Sequence, residues 1–383
     1  MSTASLGPAS ERRRLLENAS WSLLAVVLLI AGLGIWNLAS ASRTAHAEVW
    51  VSQSYWLLFG LAVGVALCTF DYRHLLGVAY PIYGAVVALL ILTLLVGDVR
   101  KGAQRWLVLG PVSLQTSELA KLAVVLALAR WYHETPEPPG RYTLLKLWQP
   151  LLLVLLPAAL ILKQPDLGTA LLVAAIGGSV ILFGGIERWT AWIGGILSLV
   201  VVGSCVALFE FFGTDWMFFL KPYQRQRVMT FLNPEGDILG AGYHSAQSMI
   251  AVGSGGLGGK GWAEGTQTQL SFLPEQHTDF VFSVWAEEHG FLGGLLLLGL
   301  YGTFFVLAAT IAHGAKDKFG AFLAVGVASI VFWQVLVNIG MVTGILPVVG
   351  VTLPLFSYGG SSLVTTLAGL AILFNVSMRR GAF

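Results

Sequence analysis

The side chains best suited to chemistry stand together in one short stretch, "EQHTDF" (275–280), directly before a long apolar run. Within it, His277 and Asp279 are ionisable groups two residues apart. A carboxylate at the edge of an apolar run loses part of its hydration, which raises its pKa and suits it to act as a general base. Two other interpretations stay open. Asp279 caps the following helix, or Glu275, His277 and Asp279 hold a metal ion, for which one short cluster is weak evidence.

Two further stretches place charged side chains at the ends of apolar segments. In "SELAK" (117–121), Glu118 and Lys121 are three residues apart, which allows an ion pair on one helix with Ser117 as a candidate N-cap. The pair either anchors the helix end or lines an internal cavity, because ionisable groups inside a membrane are usually functional. In "QPDL", Asp166 either caps the next helix or faces the same outer cavity as Asp279.

A second acidic group lies about two turns into the apolar run that follows Asp279. Glu287 and Glu288 are adjacent there, and adjacent helical positions point about 100° apart, so the two carboxylates do not easily share a partner. A structural ion pair is the favoured role, and Arg225, Arg227 or Lys121 are the candidate partners.

A glycine run, "GSGGLGGKG" (253–261), formally matches a dinucleotide-binding pattern. That pattern needs a preceding strand and a following helix, and the lysine here precedes glycine where a P-loop needs serine or threonine. Both nucleotide sites are therefore excluded. The run indicates a tight turn, with a hinge that closes a loop over a ligand as the alternative.

The elements that must position these residues are membrane helices. The 383 residues are 56% hydrophobic and 11% charged, with a mean hydropathy of +0.76, whereas soluble domains average about 25% charged residues. We therefore predict an all-α polytopic integral membrane protein. The net charge of only +2 argues against nucleic acid as a partner. Cys68 and Cys205 lie in apolar segments and are interpreted as packing residues.

Hydropathy predicts about ten transmembrane helices, and the first is retained rather than cleaved as a signal peptide. Their expected limits are 20–41, 53–70, 75–96, 117–132, 148–163, 167–185, 190–212, 280–311, 320–345 and 362–378. Lysine and arginine are concentrated in alternate short segments, which favours both termini in the cytoplasm.

This topology divides the chain into segments with different expected environments. They are a cytoplasmic tail (1–19), helices one to seven (20–212), a large extracytoplasmic loop (213–279), helices eight to ten (280–378) and a second cytoplasmic tail (379–383). We expect short amphipathic helices in the large loop, at the outer leaflet. The outer segment 344–362 contains two prolines and cannot be one continuous helix.

Several motifs resemble one known family, the SEDS proteins (shape, elongation, division and sporulation), from about residue 20 to residue 378. The motifs are "KGAQRWL" (101–107), "SELAK" (117–121), "QPDLGT" (164–169), "YQRQRV" (223–228), "LGAGYHSAQSMIAVGSGGLGGKGW" (239–262), "FLPEQHTDF" (272–280), "NIGMVTGILPVVGV" (338–351) and "LPLFSYGGSS" (353–362). The chain resembles the RodA-like elongation branch more than the FtsW-like division branch.

The resemblance implies a peptidoglycan glycosyltransferase that polymerises lipid II on the outer face of the cytoplasmic membrane. It implies a class B penicillin-binding protein as partner, beside membrane lipids and other cell-wall elongation proteins. Asp279 falls on the acidic position that the family is thought to use in catalysis. Further candidates to bind substrate or line its cavity are Lys101, Arg105, Glu118, Lys121, Asp166, Arg225, Arg227, His277 and Ser357.

The resulting hypothesis is that Asp279 takes a proton from the acceptor sugar's 4-hydroxyl, which then attacks the donor's anomeric carbon with inversion. Arg225, Arg227, Lys121 or a divalent cation (Mg²⁺ or Mn²⁺) would stabilise the leaving pyrophosphate. Two alternatives belong to other classes: a lipid II flippase, and a scaffold without catalytic activity. The polar residues are concentrated near the outer face, whereas a flippase should present polar groups through the midplane.

Overall fold

We analysed a computed structural model of the full chain. It describes residues 15–43, 48–100, 103–109, 112–135, 141–212, 225, 229, 241–273 and 275–380. Two of the predicted site residues, Lys101 and Arg227, lie outside these ranges.

Helices form most of the described chain, and a helix is present at each of the ten predicted positions, with ends that differ from the predicted ones by at most four residues. The helices are α1 (Trp21–Ala41), α2 (Val49–Thr69), α3 (His74–Val96), α4 (Thr116–Glu134), α5 (Trp148–Lys163), α6 (Leu167–Phe183), α7 (Arg188–Phe212), α8 (Ala241–Ser254), α9 (Thr266–Gln269), α10 (Val281–His313), α11 (Lys318–Val342) and α12 (Gly360–Met378).

The described helices are long and apolar enough for a membrane protein. Six of them could cross a bilayer by length and composition, namely α1, α2, α3, α10, α11 and α12. Two more, α5 and α6, are shorter and apolar. The predicted helical polytopic membrane fold is confirmed.

A small antiparallel sheet joins α3 to α4, and the all-α prediction missed it. Its strands are β1 (Asp98–Arg100), β2 (Ala103–Leu109) and β3 (Val112–Gln115), in the order β1-β2-β3. Because β3 runs directly into α4, Gln115 occupies the N-cap position in an extended conformation. The prediction that Ser117 is the cap is therefore wrong.

Helix α10 reverses direction at Gly290, so the predicted continuous span 280–311 is wrong. Gly290 has φ 64° and ψ −163°, which no helix contains. A Cβ added to Gly294 would lie 3.6 Å from Cζ of Phe282, although twelve residues of continuous helix would separate these positions by about 18 Å. Residues 281–289 and 291–313 therefore form two halves that fold back on each other at Gly290.

The reversal changes where Asp279 lies. At the start of the first half, Asn37 Nδ2 donates to the carbonyl of Val281 at 3.0 Å, and about two turns later Ser40 Oγ donates to Glu288. The first half of α10 thus packs beside the C-terminal part of α1. Three residues before Asp279, Gln276 Nε2 donates to the carbonyl of Ala41, the last residue of α1, at 2.7 Å. Asp279 therefore lies close to the C-terminal end of α1, at the start of this half-helix.

The glycine run docks against this reversal as a turn. Lys260 N and Gly261 N donate to the carbonyls of Glu287 and Glu288 at 3.1 and 3.0 Å. On the other side, Phe291 N donates to the carbonyl of Gly256 at 2.8 Å. These bonds satisfy backbone groups that the break in α10 leaves without helical partners, which membranes require. The prediction of a tight turn is confirmed.

Candidate functional site

Asp279 lies in a turn, residues 275–280, immediately before α10. Thr278 N donates to the carbonyl of Glu275 at 3.1 Å, which closes the turn. Phe280, rather than Asp279, occupies the N-cap position of α10, and its side chain makes no capping hydrogen bond. The interpretation of Asp279 as an N-cap is therefore wrong.

The backbone of this turn is held by side chains from distant parts of the chain. Asn338 on α11 donates through Nδ2 to the carbonyls of Asp279 and Val351, at 2.9 and 2.6 Å. Ser357 Oγ donates to the carbonyl of Thr278 at 2.6 Å. The carbonyl of His277, the preceding residue, accepts a hydrogen bond from Tyr358 N at 2.9 Å. The turn and the irregular segment 343–359 thus form one hydrogen-bonded unit.

The carboxylate of Asp279 lies against the backbone of this segment. Gly350 has φ 75°, and a Cβ there would be 3.2 Å from Asp279 Oδ2. Asp279 and His277 are both half-buried, so neither is sealed from the surface. The prediction that 344–362 is not one continuous helix is confirmed, because α11 ends at Val342 and α12 begins only at Gly360. Since irregular backbone at membrane depth is tolerated where it lines a cavity, this course suits a site.

Asp166 lies on the other side of the same segment. It caps α6, because its side chain accepts a bond from Thr169 N at 3.2 Å. A Cβ on Gly168 would lie 2.8 Å from the carbonyl oxygen of Val349, the residue before Gly350. The start of α6 and the Asp279 carboxylate therefore flank one peptide step, Val349–Gly350.

Arg105 on β2 joins Asp166 at this place. Its Nε lies 3.7 Å from Asp166 Oδ2, and its guanidinium donates to the carbonyl of Pro165. Asp166 is buried, whereas the Arg105 side chain is 23% exposed. The small sheet therefore carries a cation to the group formed by Asp166, Asp279 and Ser357.

Glu118 and Lys121 form the predicted ion pair, but in a separate internal place. Lys121 Nζ lies 2.8 Å from both carboxylate oxygens of Glu118, and both residues are buried. Beside them is a cavity of about 10 Å³, close to the room that one water needs. It is lined by Glu118, Lys121, Val327, Ile330, Val331, Thr365, Thr366 and Gly369 of α4, α11 and α12.

One face of α11 connects this cavity to the Asp279 turn. Ile330 lines the cavity, and Gln334 and Asn338 follow at intervals of four residues, so the three share one face. Eight residues of helix correspond to about 12 Å. The ion pair and Asp279 are therefore neighbours along α11 without being in contact.

The predicted partners of the second acidic pair are replaced by others. Glu287 pairs with Lys260 at 2.7 Å, and Glu288 accepts a bond from Ser40. Lys121 is engaged by Glu118, so it is not the partner. The predicted structural ion pair is confirmed with a different lysine. Arg225 is half-buried in a helical turn, and its immediate neighbours lie outside the described residues.

A metal site at Glu275, His277 and Asp279 is not supported. In the described part of the chain, no three His, Cys, Asp or Glu side chains are grouped so that they could hold a metal ion.

Sequence reasoning missed the two amides that hold the site together. Asn338 clamps the Asp279 turn, and Gln53 on α2 donates to the carbonyl of Ser357 at 2.9 Å while accepting from Gly359 N at 3.2 Å. Both residues are almost fully buried. The available signal was an amide within a largely apolar helix, since burying an amide is costly unless it has a partner.

Comparison with known proteins gives a consistent result. The family model for FtsW, RodA and SpoVE, described as cell cycle protein, matches residues 16–381. The peptidoglycan glycosyltransferase MrdB of Escherichia coli (strain K12) is 44% identical over 359 residues, covering 94% of this chain and 92% of that protein.

Solved structures agree with the sequence comparison. RodA of Thermus thermophilus is similar with a TM-score of 0.69 and 34% identity, covering 95% of this chain and 98% of that one. A chain from a peptidoglycan synthase complex, described as coordinating polymerization and crosslinking, is similar with a TM-score of 0.79 and 38% identity, covering 94% and 98%.

Proposed function

This chain belongs to the FtsW/RodA/SpoVE family, and we propose that it is a peptidoglycan glycosyltransferase that polymerises lipid II during cell elongation. The observation that carries the proposal is the Asp279 turn. Its carboxylate lies half-buried against Gly350, on a turn clamped through its backbone by Asn338 and Ser357. A fixed, partly desolvated carboxylate is what general base catalysis requires.

Asp279 removes the proton from the 4-hydroxyl of the acceptor sugar. The oxygen attacks the anomeric carbon of the donor, the glycosidic bond forms with inversion, and undecaprenyl pyrophosphate leaves with the electron pair of the broken bond. Base catalysis contributes about 10²–10⁴-fold, so positioning and stabilisation of the leaving group must supply the rest.

The leaving pyrophosphate needs positive charge on the same side of the segment. Arg105 is the cation that the described structure places next to Asp166, so it is our first candidate to contact the substrate. Arg225, Arg227, Lys101 and a divalent cation are the other candidates. Glu118 and Lys121 act from the neighbouring internal cavity, and their mutual pairing makes an indirect role the simplest one.

The membrane topology and partner follow from the same proposal. With both termini in the cytoplasm, the Asp279 turn and the loop 213–279 face outward, where the disaccharide of lipid II is available. A class B penicillin-binding protein would crosslink the new strand, as the similarity to a complex that coordinates polymerization and crosslinking supports. Other elongation proteins and membrane lipids complete the expected surroundings.

The test is Asp279→Asn, which keeps the shape of the side chain and removes its charge. The purified variant in detergent with lipid II should make no detectable glycan, while its thermal unfolding matches the wild type. Polymerisation at the wild-type rate would refute the base assignment. If the wild type moves lipid II across vesicle membranes and never joins two units, the protein is a flippase instead.

A further inference from the structure

Glu287 is buried eight residues after Asp279 and is saturated with hydrogen bonds. Its Oε1 accepts from Lys260 Nζ at 2.7 Å, from Gln267 N at 2.9 Å and from Thr266 Oγ1 at 3.2 Å. Its Oε2 accepts from Thr268 Oγ1 at 3.0 Å and Thr268 N at 3.3 Å. The residue is 0% exposed, so the whole carboxylate is enclosed by these donors.

The lysine in this group is equally committed. Lys260 Nζ also donates to Ser254 Oγ and Thr266 Oγ1, each at 2.8 Å, which uses all three donors of the ammonium group. Its backbone N donates to the carbonyl of Glu287. The approach of α9 depends on glycine, because a Cβ on Gly265 would lie 2.7 Å from Glu287 Oε2.

These bonds close a loop around the Asp279 turn. Glu287 belongs to the first half of α10, and its donors belong to the docked glycine turn and to the first turn of α9. The chain between the two ends, residues 270–280, carries Asp279. Asn338 and Ser357 hold one side of that chain, and Glu287 fixes the spacing of its two ends.

We propose that Glu287 is a positioning residue for the glycosyl transfer reaction, acting through the lock that it forms with Lys260 and α9. This inference rests on the proposed function of Asp279. If the Glu287–Lys260 pair only filled space in the fold, apolar side chains of similar volume could replace both residues at little cost to stability. What an apolar side chain does not replace is the directed attachment of the backbone at Gln267 and Thr268.

The experiment compares three variants with the wild type and with Asp279→Asn in one lipid II polymerisation assay. Glu287→Gln removes the charge and replaces one acceptor oxygen by an NH₂ group. That group then faces a donor, either Thr268 N or Lys260 Nζ. Glu287→Met/Lys260→Met removes both charges together, which leaves no unpaired buried ion. Glu264→Gln is the matched control, because Glu264 is an exposed carboxylate in the same loop.

We expect both Glu287 variants to lower kcat by about 10- to 100-fold, the usual cost of misplacing a reacting group by about 1 Å, with little change in KM. The double variant should fold with a moderately lower unfolding temperature, because Gln267 N and Thr268 N lose their acceptor while no unpaired ion is left. The amides of residues 267–273 and 275–280 should exchange hydrogen faster in both variants. Glu264→Gln should match the wild type in every measurement.

The inference is overturned if the folded double variant has the wild-type kcat, because the bonds that Glu287 makes to Lys260 and α9 then have no effect on the rate. Inactivity of the wild type, or full activity of Asp279→Asn, would instead refute the proposed function. The double variant therefore tests the role of Glu287, whereas the wild type and Asp279→Asn test the proposed function, all in the same assay.

Discussion

Glu118 and Asp279 are both carboxylates at the ends of apolar helices, yet the fold holds them in opposite ways. Glu118 is buried and neutralised by Lys121, one turn along its own helix. Asp279 is half-buried, and the bonds from Asn338, Ser357 and Tyr358 hold the backbone of its turn rather than its carboxylate. A carboxylate that must transfer a proton needs a fixed position and access to substrate, and a backbone clamp provides both.

The largest expected effect comes from breaking the ion pair. Lys121→Met leaves Glu118 buried without its cation, which should lower the free energy of unfolding by about 3–5 kcal/mol. Thermal or denaturant unfolding of the purified protein in detergent measures this loss. A single variant as stable as the wild type would show that the pair does not stabilise the fold.

The double variant Glu118→Gln/Lys121→Met is the control for this prediction. Removing both charges should restore most of the lost stability, since no uncompensated ion remains in the interior. If this double variant is stable and makes no glycan, Glu118 and Lys121 contribute to the reaction as well as to stability, and the pair no longer contrasts with Asp279 as a purely structural site.

The second effect concerns the clamp. Asn338→Leu removes the donor to the carbonyls of Asp279 and Val351, so the turn shifts and kcat for lipid II polymerisation should fall by about 10²-fold. Initial rates over a range of lipid II concentrations separate kcat from KM. An unchanged kcat would show that Ser357 and Tyr358 are sufficient to hold the turn.

Asn375 on α12 offers a matched control for Asn338. Its Nδ2 also donates to two carbonyls, of Leu67 at 2.9 Å and Phe70 at 2.7 Å, near the other end of the bundle. Asn375→Leu should cost similar stability and leave kcat unchanged. Equal loss of kcat in both variants would mean that the rate follows stability and not the position of Asp279.

The sequence predicted the Glu118 site more fully than the Asp279 site, because the two depend on different ranges of interaction. The ion pair and the Asp166 cap join residues three apart, and helical spacing determines both. Asn338 is 59 residues from Asp279, and Gln53 is 304 residues from Ser357. No local pattern specifies such pairs, since they arise from the packing of α2, α11 and the irregular segment.

The reversal at Gly290 shows a second limit of the sequence. Hydropathy measures how apolar a stretch is and not its direction, so a half-helix followed by a helix that folds back on it has the same profile as one long span. Glycine at the break was the local signal, but glycine is common inside membrane helices. The backbone of residues 256–261 supplies the hydrogen bonds that the reversal in α10 needs. This contact can be seen only in the folded chain.

The smallest expected effect comes from alanine at Gly350, compared with alanine at Gly344. The comparison separates displacement of the Asp279 carboxylate from backbone strain in the segment that supports it. Gly350 and Gly344 have nearly the same φ, 75° and 77°, so an alanine at either position should cost about 1–2 kcal/mol. Only the Gly350→Ala methyl group meets Asp279 Oδ2, at 3.2 Å, whereas the Gly344→Ala methyl group meets the flexible end of Met249. We expect kcat to fall about tenfold in Gly350→Ala, since displacing the carboxylate at a cost of about 1.4 kcal/mol in the transition state gives that factor. Gly344→Ala should lose similar stability and keep the wild-type kcat. If the two variants lose rate equally, the contact between Gly350 and Asp279 has no part in catalysis, and the clamp acts only through the backbone.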